Sequence, residues 1–176
     1  SSGQFPAPRP MPLMVVSSGT FGVNPSLYPD LPYKPLTDFL PISNIFLVPL
    51  VIVAHPSLPV NTLAELIALA KKEPGQLSYA SAGPGTSQHL SMELFKLKAG
   101  VDIVHIPYKG SGPAMADLLG GHVKLMMDST ASALNHIKDG RIKALAVTTS
   151  RPAPPPLDKI PLIAATIPGF NAAGWS

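Results

Sequence analysis

The chain has 176 residues, 45% hydrophobic and 13% charged, with a formal net charge of +3. That length and apolar content allow a sizeable core and argue against disorder. The longest apolar run, Ile45–Ala54, contains Pro49 and falls short of the roughly 18 residues of a membrane span. The absence of cysteine excludes disulfides, thiol catalysis and cysteine zinc sites, while scattered Lys and Arg, adjacent only at Lys71-Lys72, argue against a nucleic-acid surface.

In chain order, Ser1–Pro12 shows no charged, apolar and cleavage-site succession, so no signal peptide is expected there. The 22 prolines gather in residues 6–41 and 152–168, leaving residues 57–150 as a periodic, proline-poor middle. Pro49–Ala54 reads as a buried strand. Thr62 and Glu65 form a capping box opening a helix that carries Leu63, Leu66, Ile67 and Ala70 and stops near Pro74-Gly75. Leu77–Ala80 is the next strand, followed by a helix from Thr86 or Ser87 to about Lys98, closed by Gly100, with leucines at 90, 94 and 97. Asp102–Pro107 is a third strand. Ser111, Gly112 and Pro113 open a third helix, with Met115, Leu118 and Leu119 inward and Gly120-Gly121 at its end. Val123–Met127 is a fourth strand, and a helix capped by Ser129 or Thr130 carries Ala133, Leu134 and Ile137 to Gly140. Ile142–Thr149 is a fifth strand. Strands alternating with short helices predict an α/β fold with a mostly parallel sheet, and Leu63, Leu66, Leu90, Leu94, Leu118 and Ile137 should be buried.

In such sheets ligands bind beyond the carboxyl ends of strands. The segment Ser81, Ala82, Gly83, Pro84, Gly85, Thr86, Ser87 lies at such an end and runs into a helix start, where unpaired N–H groups and the helix dipole favour a small anion. A structural turn with a capped helix is the plainer alternative. Gly83 and Gly85 make no dinucleotide fingerprint, because the third glycine position falls on Gln88, and no P-loop follows. An acid's oxygens would meet the amides of Gly83–Ser87 and the hydroxyls of Ser81, Thr86 and Ser87. Asp128, beside Ser129 and Thr130, could accept from a ligand or merely cap the next helix. His89 could touch a ligand or face solvent, whereas His105 reads as a hydrogen-bonded core histidine. No His-x3-His pattern, GxSxG elbow or HExxH motif is present, so no metal, cofactor or catalytic residue is expected.

The motifs Asn24-Pro-Ser-Leu-Tyr28, Tyr33-Lys-Pro-Leu-Thr-Asp-Phe39, His55-Pro-Ser-Leu-Pro59, Tyr79-Ala-Ser-Ala-Gly-Pro-Gly-Thr-Ser-Gln-His-Leu90 and Val104-His-Ile-Pro-Tyr-Lys-Gly110 carry a family likeness. Together with Asp117-Leu-Leu-Gly-Gly121 and Ala144-Leu-Ala-Val-Thr148, they resemble the TctC or Bug-type receptors of tripartite tricarboxylate transporters, in unbroken order from about Leu13 to Trp175. The resemblance implies a type II periplasmic-binding fold of two α/β lobes with mostly parallel sheets, the first lobe incomplete here. It divides the chain into residues 13–50 of the first lobe, 51–147 of the second, and 148–176 returning to the first, with 1–12 unassigned. Leu13–Val16 would be a first-lobe strand, and Ser18 and Thr20 would join the cleft. It also implies a periplasmic receptor, monomeric when intact, that takes a small carboxylate and hands it to membrane components, without nucleic acid. The family's usual anion loop before Ser17 and its continuation past Trp175 are not seen, which implies a fragment. The rival reading is a phosphate-handling α/β enzyme using the Gly83–Ser87 turn as an oxyanion cradle.

Overall fold

The computed structural model describes residues 12–45, 47–153, 155–172 and 174–175; the unassigned residues 1–11 lie outside them. A π-helical turn, Gly19–Val23, runs into the short helix α1 (Asn24–Leu27). The elements that follow are β1 (Leu47–Val48), β2 (Leu50–Ala54), α2 (Leu63–Lys72), β3 (Ser78–Ser81), α3 (Ser87–Ala99) and β4 (Val104–Pro107). The chain continues through α4 (Ser111–Leu119), β5 (Leu125–Ser129), α5 (Thr130–Lys138), β6 (Lys143–Val147), α6 (Ile163–Thr166) and β7 (Gly174–Trp175).

Local chemistry sets these boundaries. Thr62 accepts the Glu65 N–H while the Glu65 carboxylate takes the N–H groups of Asn61 and Thr62, so the expected capping box is complete. Thr62→Ala is therefore expected to lose about 1 kcal/mol in a urea titration, and an unchanged midpoint would show that water replaces the cap. Thr86 caps α3 and Ser129 caps α5, each accepting an amide three residues on.

The main sheet has the order β4-β3-β5-β2-β6. β3 is parallel to β4 and β5, but β2 runs antiparallel to both β5 and β6. Four strands thus share a direction and β2 opposes them, so the entry of β2 at Leu50 lies beside Ser129, at the carboxyl end of β5. Thr148 closes the same edge: its N–H donates to Leu50 O, and Leu50 N–H donates to its hydroxyl. A second, two-stranded ladder pairs β1 with β7.

Both faces of the sheet are covered. Leu50, Ile52, Tyr79, Leu125 and Met127 pack with α2, α3, Ile163 and Phe170; Val51, Val53, Ala80 and Met126 pack with α4 and Ala133 of α5. All five residues of β2 are fully buried, as a strand covered on both faces must be.

Two expectations need correction. Leu63, Leu66 and Leu118 are buried, but Leu94 and Ile137 are only partly so, and Leu90 is 38% and Leu97 80% exposed. The buried face of α3 is Ser91, Met92 and Phe95. At 100° per residue, Leu90 and Leu97 lie about 140–200° from Met92 and Phe95, on the opposite side of the helix. Leu13–Val16 forms no strand, because no described segment offers it a ladder partner; Leu13, Met14 and Val15 are exposed.

Candidate functional site

The parallel strands β3, β4 and β5 deliver their carboxyl ends to one edge, where three turns meet. The Ser81 carbonyl accepts the Tyr108 N–H at 3.1 Å and the Ala82 carbonyl accepts the Gly110 N–H at 3.0 Å, tying the first two turns together. The third joins through Ser111, whose hydroxyl donates to Asp128 Oδ1 at 2.9 Å.

The Ser81–Thr86 turn is built on its own polar atoms. Ser81 is fully buried, its Oγ 2.6 Å from His105 Nε2 and accepting the Gly83 N–H at 3.1 Å. Gly83 has φ +133°, and a Cβ there would stand 3.1 Å from the Tyr108 carbonyl oxygen. Gly85 has φ +75°, a conformation that any Cβ would strain, and its N–H donates to His89 Nδ1 at 3.1 Å. The Thr86 hydroxyl donates to Gly83 O at 2.7 Å while accepting the His89 N–H. The amides of Gly83, Gly85 and Thr86 are thus engaged within the turn, and Pro84 has none. The open donors on the cleft are the amides of Ser87 and Gln88, the first two of α3, which have no acceptor among the described residues; the Ala82 amide also has none but lies outside the cleft lining.

These donors border a cleft of about 310 Å³. Ser17, Ser18, Gly19, Thr20 and Asn24 form one wall, and residues 84–88 the other. A Cβ on Gly19 would come 3.4 Å from the Gly85 carbonyl oxygen, so the two backbones nearly touch at the floor. Tyr33 fixes the first wall by donating its hydroxyl to Thr20 O at 2.8 Å, within an aromatic cluster with Phe21 and Phe39. Among the described residues no lining side chain carries a formal charge, and Lys109 is exposed outside the lining.

Of the residues singled out from sequence, the structure brings Ser18, Thr20, Gly85, Thr86 and Ser87 together on this cleft. Ser81, Ala82 and Gly83 form the base of the turn behind it. Asp128 is fully buried: Oδ1 accepts from Ser111 and from the Ser129 N–H, and Oδ2 has no partner among the described residues. Sequence reasoning missed Ser17, Asn24 and Gln88. No group of three or more metal-ligating side chains occurs among the described residues.

Behind the turn, His89, His105 and Tyr79 stack, with centroids 4.2 Å apart for the histidines and 4.8 Å for His105 and Tyr79. Tyr79 donates to Glu93 at 2.8 Å, and Lys96 pairs with the same carboxylate. Burial lowers the pKa of both imidazoles; Lys96 adds to the lowering, His89 adds to that of His105, and Glu93 works against it. Burial is also the strongest influence on Glu93 and pushes its pKa up, but hydrogen bonds from Lys96 and Tyr79 and the charges of Lys96 and His89 outweigh it and hold the carboxyl low. The Tyr79 hydroxyl is pushed up by burial and then by Glu93.

A family model described as "Tripartite tricarboxylate transporter family receptor" matches residues 6–175. The chain belongs to this receptor family. Among curated relatives, protein BugT of Bordetella pertussis is 40% identical over 93% of this chain and 50% of its own. Two solved structures superpose closely: one described as R. palustris Rpa4515 with adipate (TM-score 0.85, 40% identity), and the periplasmic binding protein BugD (TM-score 0.82, 38% identity). The first covers 91% of this chain and 54% of its own, the second 90% and 53%. A third, MatC from Rhodopseudomonas palustris with bound malate, has a TM-score of 0.80 at 29% identity. The chain therefore has the periplasmic-binding α/β fold of the tripartite tricarboxylate receptors, and it spans about half the length of the relatives it matches. Receptors of this family are periplasmic, and no helix among the described residues is long and apolar enough to cross a membrane.

Proposed function

We propose that this chain is the ligand-gripping part of a periplasmic receptor that captures a small carboxylate for a tripartite transporter. The observation that carries the reading is the cleft at the start of α3. There the amides of Ser87 and Gln88 and the hydroxyls of Ser17, Ser18, Thr20 and Ser87 supply neutral donors beside a helix dipole, while the Thr86 hydroxyl, its proton given to Gly83 O, shapes the turn. Such a set suits reversible capture. Burying a carboxylate against a full positive charge costs desolvation on both partners, whereas preset dipoles hold an anion without a second ion.

Ser87 is the proposed principal contact, through both its amide and its hydroxyl, with Thr86 beside it and Ser18 and Thr20 closing from the opposite wall. Ser81, Ala82, Gly83 and Asp128 act behind them. Ser81 and Asp128 hold the three turns together, and their complete burial keeps them from a substrate, which counts against an enzyme. Residues 51–147 form the gripping lobe in this reading and residues 13–50 belong to the facing lobe; the segment from 148, expected to return to the facing lobe, first packs Ile163 and Phe170 into the gripping lobe's core. The membrane components of the transporter are the proposed partners of the loaded receptor.

The relatives solved with adipate and malate make dicarboxylates the first acids to try. Calorimetry of the intact receptor with adipate, malate and a monocarboxylate such as propionate tests the proposal. Binding of at least one, weakened by Ser87→Ala, is expected. Silence across the panel would overturn it.

A further inference from the structure

The stacked histidines behind the cleft are not needed to contact a ligand, yet one of them closes the turn. A backbone N–H can only donate, so the Gly85 N–H requires a lone pair on His89 Nδ1. The neutral ring must therefore carry its proton on Nε2. A second proton would have to go on Nδ1, where it would face the Gly85 N–H donor to donor and remove the bond. The neighbours resist that proton too. From β4, His105 stacks on the ring at 4.2 Å; from β3, Tyr79 stacks beyond it; α3 itself brings Glu93 and Lys96. Of these only Glu93 favours a cation on His89, and it is already shared between Lys96 and Tyr79. Residues 17–24 and 84–88 contain no titratable side chain.

We propose that His89 is a positioning residue that holds the Gly85 turn in place only while its ring is neutral, so that acidification releases the 84–88 wall of the cleft. This deepens the receptor reading, and only its binding arm rests on that reading. Gly85 is where the two walls nearly touch, so a turn that lets go at Gly85 alters the distance between the Ser87 amide and Ser18. A group whose folded pKa lies below its unfolded value favours the fold above the unfolded pKa, near 6.5 for this imidazole, and that contribution is lost as pH falls through the folded value. The wall should therefore be firm at neutral pH and loosen in mild acid.

Imidazole and amide NMR on the 15N-labelled 176-residue chain tests this without any ligand. His89 should appear as the Nε2–H tautomer at about pH 7.5 and titrate below the ordinary imidazole midpoint, with the Gly85 amide resonance moving at the same midpoint. His89→Asn places a carbonyl oxygen near the Nδ1 position and cannot take the proton, so the Gly85 amide should become insensitive to pH. A Gly85 amide that stays still while His89 titrates overturns the proposal, and so does a His89 that never titrates down to about pH 4.5. Should the variant not fold, the wild-type titration decides alone. The binding arm compares adipate affinity of the intact receptor with that of its H89N form, which cancels the titration of the acid itself. The wild-type affinity should fall about fivefold relative to H89N between about pH 7.5 and 5. An unchanged ratio, with adipate bound by both, overturns the inference. Absence of adipate binding at any pH counts against adipate as the ligand and leaves the NMR result to decide on His89.

Discussion

Gly85→Val in the intact receptor is expected to weaken binding of whichever acid of the proposed panel it takes at least tenfold, by about 1.4 kcal/mol or more, while the fold survives. The backbone at Gly85 has φ +75°, where a Cβ costs roughly 1–2 kcal/mol, and the new Cβ would stand 2.8 Å from Leu27 Cδ1 and 3.6 Å from Val23 Cγ1. Leu27 is half-exposed and can swing away, so the expected loss comes mainly from the strained turn that presents the Ser87 and Gln88 amides. The control is Gly100→Ala. Gly100 has φ +63°, and nothing lies within 4 Å of its added Cβ, so it pays a similar backbone cost far from the cleft. If both variants keep full affinity in calorimetry, the Gly85 turn is only structural.

Phe95→Ala is expected to cost about 3–5 kcal/mol of unfolding free energy, because Phe95 is fully buried in the core beside Met92 and Tyr79. Leu97→Ala, two residues on, should change it by less than about 0.5 kcal/mol, since Leu97 is 80% exposed. Urea unfolding of the two variants decides which face of α3 carries the core. Equal losses would mean that the leucine side is covered in solution.

That pair marks one place where the sequence misled. Leu90, Leu94 and Leu97 recur at helical spacing and outnumber the apolar residues opposite them, so periodicity chose the wrong face. Met92, Phe95 and the small Ser91 fit the sheet instead, which no spacing rule weighs. The direction of β2 was illegible for another reason: Leu50–Ala54 is buried on both faces, and such a strand reads the same in either orientation. Boundaries were far more legible, because Thr62, Thr86, Ser129, Gly100 and Gly140 act through bonds and φ angles within a few residues of themselves. The site divided along the same line. The turn and its capped helix were readable locally, and the likeness in motif order pointed to Ser18 and Thr20. Ser17, Asn24 and Gln88 join the cleft only through packing of distant segments. Which amides stay open depended on His89, whose bond to Gly85 no motif announces.

The uncharged lining of the cleft has a kinetic side. Side-chain ions attract across about a Debye length, roughly 10 Å in dilute buffer, and their pull fades as salt is added. Amide and hydroxyl dipoles act only at contact. A carboxylate passing between Ser18 and Ser87 meets no ion among the described lining residues, so these two walls should add little to the salt dependence of its association rate.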